Sequence, residues 1–307
     1  VMRVVLLGGT GFFGRALETE LCRRNIPVRA FGRDVDVRIP SRLERVLAEG
    51  DVVVNLVGRS PVRRPAGGRA TYRLIHVEGT RSVVHAAEAV GASRIVYIGA
   101  YGVHRHAGAA YAETKARAQA LVEASRVPGT IVSPSLLFGK GAELMHLFAA
   151  VVKLAGRLPF RRVPVPRWPG SFRPIWVGDA ARLVVSELTS RQPRARLALT
   201  GPELLSFEEI LTITFEAAGL ATLPVPRPAS RVLLRLASTL KIPGLPADLG
   251  AMLRLDNEGP PPPSPESLLP YSNWVHEYST MSARLRPWSR SSRHLWAPQN
   301  ENRNEPS

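Results

Sequence analysis

Apolar runs of strand length alternate with stretches of helical spacing from the start of the chain to about residue 140. Val4, Val5, Leu6 and Leu7 make the first run, and Leu17, Leu21 and Cys22 follow at the spacing of one helix face. This predicts a strand over residues 3–7 and a helix over 14–24. A second strand is expected over 27–31. Ser41 with Glu44 three residues on reads as a capping box that opens a short helix over 41–49. Residues 51–57 are an unbroken apolar strand, the pattern of a parallel sheet covered on both faces. A long helix is expected over 72–90, with Val77, Val83, Val84, Ala87 and Val90 inward. Further strands are expected over 94–98 and 129–134, with a helix over 111–124 between them. Strands that alternate with helices in this way specify an α/β fold, a doubly wound parallel sheet with right-handed crossovers.

Beyond residue 140 the periodicity loosens. Residues 144–155 read as a helix, and 158–172, rich in Pro and Arg, as a loop or short hairpins. A short strand over 174–177, a helix over 179–188 and a strand over 197–200 are expected to return to the core sheet. Ser206, with Glu208 and Glu209 behind it, caps a helix over 207–218. An amphipathic stretch over 230–241 reads as a surface helix. After Asn257 comes Gly-Pro-Pro-Pro-Pro-Ser-Pro, and no periodicity follows, so this tail reads as extended or disordered. Its Trp274, Trp288 and Trp296, set among Arg284, Arg286, Arg290 and Arg293, suit an anchor at a partner or membrane interface. The expected division is a dinucleotide-binding domain over 1–145, a smaller substrate-side domain over 146–256, and the tail over 257–307.

Composition narrows this picture in three ways. With 307 residues and 45% hydrophobic positions, the chain can hold one large or two modest domains. The single cysteine, Cys22, rules out a disulfide framework or a cysteine-held metal cluster, and no metal site is expected. That usage, together with the lack of a signal-like or membrane-spanning run, suits a cytoplasmic protein that can sit peripherally on a membrane. The formal charge of +16 favours anionic partners. The arginines are spread out, however, with no nucleic-acid-binding signature, so no specific nucleic-acid partner is expected.

The chemistry begins with Gly8, Gly11 and Gly14. Set between a strand and a helix, this spacing lets the backbone approach a pyrophosphate, and the helix N-terminus beyond it attracts the phosphates. At the end of the second strand stands Arg33 beside Asp34. An arginine there accommodates a 2′-phosphate and a carboxylate a ribose 2′-hydroxyl, so NADP(H) is preferred and NAD(H) stays open. Tyr111 and Lys115 share a helix face at i, i+4. A neighbouring ammonium would lower the phenol pKa, making Tyr111 a proton donor or acceptor for hydride transfer at a carbonyl.

With these residues in view, the chain resembles the short-chain dehydrogenase/reductase superfamily in its extended or atypical branch, which carries the epimerase/dehydratase domain. The likeness rests on the Gly8–Gly14 turn, Asp36-Val37, Asn55-Leu56-Val57-Gly58, Val77-Glu78-Gly79-Thr80, the Tyr111/Lys115 pair and Pro134 through Gly139. Within it, Gly-Gly-Thr-Gly-Phe-Phe-Gly and residues 51–59 and 200–211 are most similar to the nucleotide-binding accessory subunit of respiratory complex I and its bacterial relatives. The likeness covers roughly residues 2 to 220. It implies that Gly8, Thr10, Gly11, Phe12 and Gly14 line the pyrophosphate and that Arg33 meets the 2′-phosphate. Asp36 would meet the adenine edge, and Leu56, Val57 and Gly58 the riboses. Lys115 and Tyr111 would face the nicotinamide, with Pro134 closing over it. It further implies an oxidoreductase acting on a small molecule linked to respiratory or quinone metabolism. A non-catalytic assembly factor that associates with a respiratory complex or membrane, and a sugar-nucleotide epimerase, are the alternatives.

The chain departs from that pattern at three places. No hydroxyl stands at 98–100, where Ile98, Gly99 and Ala100 replace a catalytic Ser or Thr. His76 replaces a helix Asn that supports the lysine, and reads as a satisfied core histidine. Ser133 replaces an Arg before Pro134. Tyr101, His104 and His106 are the nearby groups that could substitute. Two basic loops, Arg59 to Arg64 and Arg157 to Arg173, are expected to flank the crevice at the carboxyl ends of the strands.

Overall fold

The computed structural model describes residues 2–60, 68–105, 109–157, 161–167, 170–230, 232 and 257–284. Its centre is a six-stranded, wholly parallel sheet in the order β10 (Arg196–Leu199), β5 (Gly129–Pro134), β4 (Arg94–Ile98), β3 (Val52–Asn55), β1 (Val4–Leu7) and β2 (Val28–Phe31). The chain lays down β1 (Val4–Leu7), α1 (Phe12–Arg23), β2 (Val28–Phe31), α2 (Pro40–Glu44) and β3 (Val52–Asn55) in turn. It then steps to the other side of β1. A helical segment made of α3 (Arg69–Tyr72), a π-helical turn (Arg73–Glu78) and α4 (Gly79–Val90) leads to β4 (Arg94–Ile98). After that come α5 (Ala110–Glu123) and β5 (Gly129–Pro134). The direction of winding reverses between β1 and β3. The carboxyl ends of those two strands therefore form the crevice where an open α/β sheet takes its ligands.

Both faces of the sheet are covered, as its apolar strands require. Val4, Leu6, Val52, Val54, Val96, Ile98 and Val132 pack on one side with Leu17 and Leu21 of α1. The helix α7 (Val177–Leu188) lies on the same side with Val184, Val185 and Leu188. Val5, Leu7, Val53, Ile95, Tyr97 and Ile131 face the opposite side, against Val83, Ala86 and Ala87 of α4 and Ala118 and Val122 of α5. Cys22 does not join Leu17 and Leu21; it is exposed.

Between β5 and α7 run β6 (Leu137–Phe138), α6 (Glu143–Ala155), β7 (Arg162–Pro166), β8 (Ser171–Phe172) and β9 (Ile175–Trp176). After α7 come β10 (Arg196–Leu199), β11 (Leu205–Ser206), α8 (Phe207–Ala217) and β12 (Ala221–Val225), with α9 (Tyr271–Arg284) last. A second cluster gathers Phe138, Leu144, Phe148, Val163, Val165, Phe172, Phe207, Ile210, Phe215, Tyr271 and Val275.

Several expectations change here. The helix expected over 41–49 is shorter, and Ser41 is not its cap. Ile39 is, with Pro40 in the first helical position, where its missing N–H is harmless. Of the described residues in 158–172, β7 pairs in parallel with β12 and β8 antiparallel with β11, so neither strand is in a local hairpin. Val163 and Val165 point inward and the intervening Pro164 is exposed, the edge-strand use of proline. β9 pairs with β6, while β10 joins β5 in the main sheet. The capping box at Ser206 and Glu209 is formed in full.

The tail departs most. Residues 257–279 are tied to the rest of the fold at several points, with Leu268, Tyr271 and Val275 buried. Asn257 N–H donates to Ser171 O, Ser135 Oγ donates to Asn257 O, and Thr200 Oγ1 donates to Pro260 O. Further along, Leu269 N–H donates to Asp179 Oδ2 and Ser272 Oγ to Glu203 Oε1. Tyr271 is fully buried with its hydroxyl 2.7 Å from Thr214 Oγ1, and Trp274 packs on Phe138 and Tyr278. Trp274 is thus part of the fold rather than an outward anchor. Trp288 and Trp296 lie outside the described residues, as does nearly all of the helix expected over 230–241.

Candidate functional site

The turn after β1 is stitched to the end of β2. Gly8 and Gly9 N–H both donate to Phe31 O, at 2.9 and 2.8 Å, and Gly11 N–H donates back to Gly8 O. Gly8 has φ +85°, the left-handed region that only glycine enters without strain. A Cβ on Gly14 would press on Gly9 O and lie 2.5 Å from Gly9 Cα, so α1 can meet the turn this closely only with glycine there. Two further glycines in this cradle escaped the sequence pattern. A Cβ on Gly9 would sit 2.7 Å from the Ala30 side chain, and one on Gly32 would run into Thr10, 2.7 Å from its Cγ2. Gly9 next to Gly8, and the single Gly32 just after β2, were the available signals. No side chain caps α1, and its first turn holds no acidic residue, so the positive end of the helix faces the crevice unneutralised. Phe12 lies beside Gly139 and Gly141, with rings 3.5 and 3.6 Å from where a Cβ would stand on each.

The groups at the end of β2 sort by charge. Asp34 Oδ1 accepts from Gly32 N–H at 2.7 Å, so this carboxylate closes its own turn. Asp36 accepts from Arg38 three times: from the backbone N–H at 3.0 Å, from Nε at 2.8 Å and from Nη2 at 2.6 Å. The Arg38 guanidinium holds the Asp36 carboxyl down at about 2. Arg33 is exposed beside them, and Arg15 folds over the glycine turn with Nε donating to Thr10 O at 2.9 Å. Both acids are engaged locally, and Arg33 stands exposed beside them.

At the end of β3 the backbone of residues 56–59 is held at three points. Leu56 N–H donates to Leu7 O, Val57 N–H to Asn55 Oδ1 at 3.1 Å, and Arg59 N–H to His76 Nε2 at 3.0 Å. Asn55 is buried and its Nδ2 donates to Thr80 Oγ1. Leu56 and Val57 are half-buried, and Gly58 is exposed.

Gly58 faces Lys115: a Cβ there would be 3.2 Å from Lys115 Nζ and 3.6 Å from His76 Nε2. Lys115 is 5% exposed and donates to Ile98 O at 2.8 Å, with the Tyr97 ring 5.0 Å away. No carboxylate pairs with it among the described residues. Burial lowers its pKa to about 8. Tyr111 lies one turn earlier on α5, half-buried against Tyr72 and His76 at edge-to-face geometry. Here the sequence expectation reverses. Burial pushes the Tyr111 phenol up, with Tyr72 adding to the rise, and Lys115 does not pull it down. The lysine is turned to Ile98 O instead, and Tyr111 is a phenol at neutral pH.

The strand end that lacks a hydroxyl lies beside the Gln119 amide. A Cβ on Gly99 would lie 2.5 Å from Gln119 Nε2, so a buried side chain of α5 occupies the space a residue there would need. Ala100 packs beside Tyr111. Tyr101 N–H donates to Pro134 O, and its ring lies against Gly259 of the tail segment; His104 is exposed. Residues 257–260, at the start of the stretch expected to be disordered, thus border the β5/β10 side of the crevice. Of the basic loops, Arg59 is exposed at the end of β3, Arg167 pairs with Glu208, and Arg173 Nη1 donates to Pro202 O. His106, Arg63 and Arg64 lie outside the described residues.

The arrangement suits a dinucleotide. The glycine cradle and uncapped helix end match a pyrophosphate, and a buried ammonium facing a bare Gly58 matches the hydroxyls of a ribose.

The family model for the NAD dependent epimerase/dehydratase family matches residues 4–188. The chain is 25% identical over 167 residues to the mitochondrial NADH-ubiquinone oxidoreductase 40 kDa subunit of Neurospora crassa, covering 48% of this chain and 43% of that one. It is 23% identical over 234 residues to the mitochondrial NADH dehydrogenase [ubiquinone] 1 alpha subcomplex subunit 9 of Arabidopsis thaliana, covering 69% and 56%. The chain spans about half the length of these relatives. Among solved structures, a dTDP-4-dehydrorhamnose reductase of Clostridium acetobutylicum superposes with a TM-score of 0.69 at 17% identity, over 92% of this chain and 100% of that one. At that identity the likeness concerns the fold.

Proposed function

The chain belongs to the NAD dependent epimerase/dehydratase family, and we propose that it binds NADP(H) in preference to NAD(H) and acts as an oxidoreductase on a small carbonyl or hydroxyl compound. The observation that carries this reading is Lys115, a buried ammonium without a carboxylate partner among the described residues, facing Gly58 at the switch point of the sheet. In the proposed assignment, Gly8, Thr10, Gly11, Phe12 and Gly14 receive the pyrophosphate and Arg33 the 2′-phosphate. Leu56, Val57 and Gly58 line the riboses, Lys115 donates to ribose hydroxyls, and Pro134 borders the nicotinamide. Asp36 borders the adenine, with its charge balanced by Arg38.

When bound, the nicotinamide supplies or accepts the hydride. The chain's own part is the proton. Tyr111, kept as a phenol by burial, can donate its hydroxyl proton to a substrate oxygen as that oxygen gains charge. Its ring is held edge-on by Tyr72 and His76. Tyr111→Phe is expected to leave dinucleotide affinity unchanged and to abolish turnover; unchanged turnover would exclude this role.

Arg33 decides the cofactor preference. Calorimetric titration of Arg33→Ala is expected to weaken NADPH about ten-fold and to leave NADH nearly unchanged, the size of one lost charge-assisted contact. Equal losses for both would reject the 2′-phosphate assignment.

A second reading is a cofactor-holding component of a respiratory or membrane assembly. It is favoured by Gly99 and Ala100, where a donor to the substrate is missing and Gln119 fills the adjoining space. Removing such a donor lowers rates ~10²–10³-fold. No helix among the described residues is long and apolar enough to cross a membrane. Dinucleotide binding without turnover on any carbonyl substrate, in both wild type and Tyr111→Phe, supports this second reading.

A further inference from the structure

His76 is the one fully buried imidazole beside the site among the described residues, and its two nitrogens have different partners. Arg59 N–H lies 3.0 Å from Nε2, and Thr114 Oγ1 lies 2.9 Å from Nδ1. A backbone N–H can only donate, so Nε2 accepts and carries no proton. The neutral ring therefore holds its proton on Nδ1 and donates it to Thr114 Oγ1. That hydroxyl has its own outlet, since Ala110 O is 2.7 Å away and Tyr111 O 3.1 Å. Each donor in the chain meets one acceptor, and only this tautomer satisfies them all.

The surroundings oppose any other state. Lys115 faces the ring from α5, with Tyr111 beside it; Tyr72 faces it from α3, and the backbone of Arg59 from the loop after β3. A second proton would lose the Arg59 bond and place two cations side by side. Burial and the charge on Lys115 accordingly hold the imidazole pKa down at about 2. The ring lies on the π-helical turn Arg73–Glu78, where His76 and Val77 are buried together with Tyr72 one turn earlier.

We propose that His76 is a positioning residue for the ribose end of the dinucleotide: as a fixed Nδ1–H ring it clamps the Arg59 backbone and so holds Gly58 open against Lys115. This role rests on the dinucleotide reading above, whereas the tautomer does not. Without the clamp, residues 56–59 keep the bonds at Leu56 and Val57, and the Arg59 N–H loses its imidazole acceptor. Lys115 then loses the fixed wall that defines its slot.

The test combines NMR with a substitution series. In the wild-type protein, nitrogen-detected spectra of the His76 ring are expected to show a single neutral Nδ1-protonated form between about pH 5 and 8, where an ordinary histidine titrates. A ring that titrates in that window, or that carries its proton on Nε2, overturns the proposal. His76→Gln places an amide oxygen near the Nε2 position and is expected to retain dinucleotide affinity. His76→Asn reproduces only the Nδ1 side and His76→Leu neither, and each is expected to weaken binding about ten-fold through the orphaned Arg59 N–H. Equal affinity in all four proteins overturns the positioning role. A wild type that binds no dinucleotide overturns the cofactor reading and this role with it, while the NMR state still reports the lock by itself.

Discussion

Lys115→Met is expected to make the protein more stable at pH 7 and to remove dinucleotide binding. The ammonium is 5% exposed, has one backbone acceptor in Ile98 O, and is paired with no carboxylate among the described residues. Its pKa falls from 10.5 to about 8 on folding, with burial as the cause. The unfolded chain therefore binds more protons than the folded one between about 8 and 10.5. Stability rises with pH through that window and is lowered by the full amount below it. The shift corresponds to about 3 kcal/mol at most. Methionine has similar length, fills the slot without a charge, and leaves Ile98 O without its donor at a cost of about 1 kcal/mol. The net expected gain is about 2 kcal/mol at neutral pH. Urea unfolding at pH 7 and at pH 10 measures it: the gain should be clear at the first pH and shrink at the second. A variant less stable than wild type at pH 7 would show that the lysine is held for the fold. The expected sign instead marks a residue kept against stability for a ligand.

Gly14→Ala and Gly11→Ala are expected to fail in different ways, although the Gly-x-x-Gly-x-x-Gly pattern treats the two positions alike. At Gly14 the added methyl meets three backbone atoms of Gly9, and neither the turn nor α1 can yield without parting from the other. A loss of about 3 kcal/mol or more is expected, seen as a lowered urea midpoint, with dinucleotide binding lost as the cradle opens. At Gly11 the methyl meets only Gly8 O, at 3.2 Å, and the residue is exposed. There the fold should survive within about 1 kcal/mol, and binding should drop because the methyl enters the space a pyrophosphate needs. Equal stability losses in the two variants would mean that the helix does not depend on close approach at Gly14.

The main sheet and the glycine turn were legible because both are written locally. Val4–Leu7, Val52–Asn55 and Arg94–Ile98 are apolar on both faces, and a strand of that kind has few places to go except the middle of a covered parallel sheet. The pair Tyr111 and Lys115 was legible for the same reason, since i, i+4 spacing fixes a shared helix face. The charge logic between them was not. Spacing gives adjacency along the helix but says nothing about which acceptor turns the ammonium; here it is Ile98 O, supplied by a strand seventeen residues earlier. The Ser41 cap failed because Pro40, one residue before it, is better suited to start the helix.

The C-terminal side was hardest to read. Parallel pairing of Arg162–Pro166 with Ala221–Val225 joins segments far apart in sequence, and no local pattern records such a partner. A run of prolines reads as disordered because it cannot form a helix or an inner strand. Yet the Asn257–Pro260 stretch needs neither. It is fixed from outside by Ser171, Ser135 and Thr200, and Tyr271 then fills a hole in the second cluster.

By itself the sequence determined the winding of the sheet, the place of the crevice and the glycine turn between the first strand and helix, because periodicity and glycine spacing act over a few residues. Tertiary structure alone decided the rest: the protonation of His76 and Tyr111, the engagement of Asp34 and Asp36, the filling of the Gly99 space by Gln119, and the wall that Gly259 builds against Tyr101. Most of these depend on burial and on partners brought from distant segments, and desolvation and hydrogen bonding are properties of the packed site rather than of any short stretch of chain.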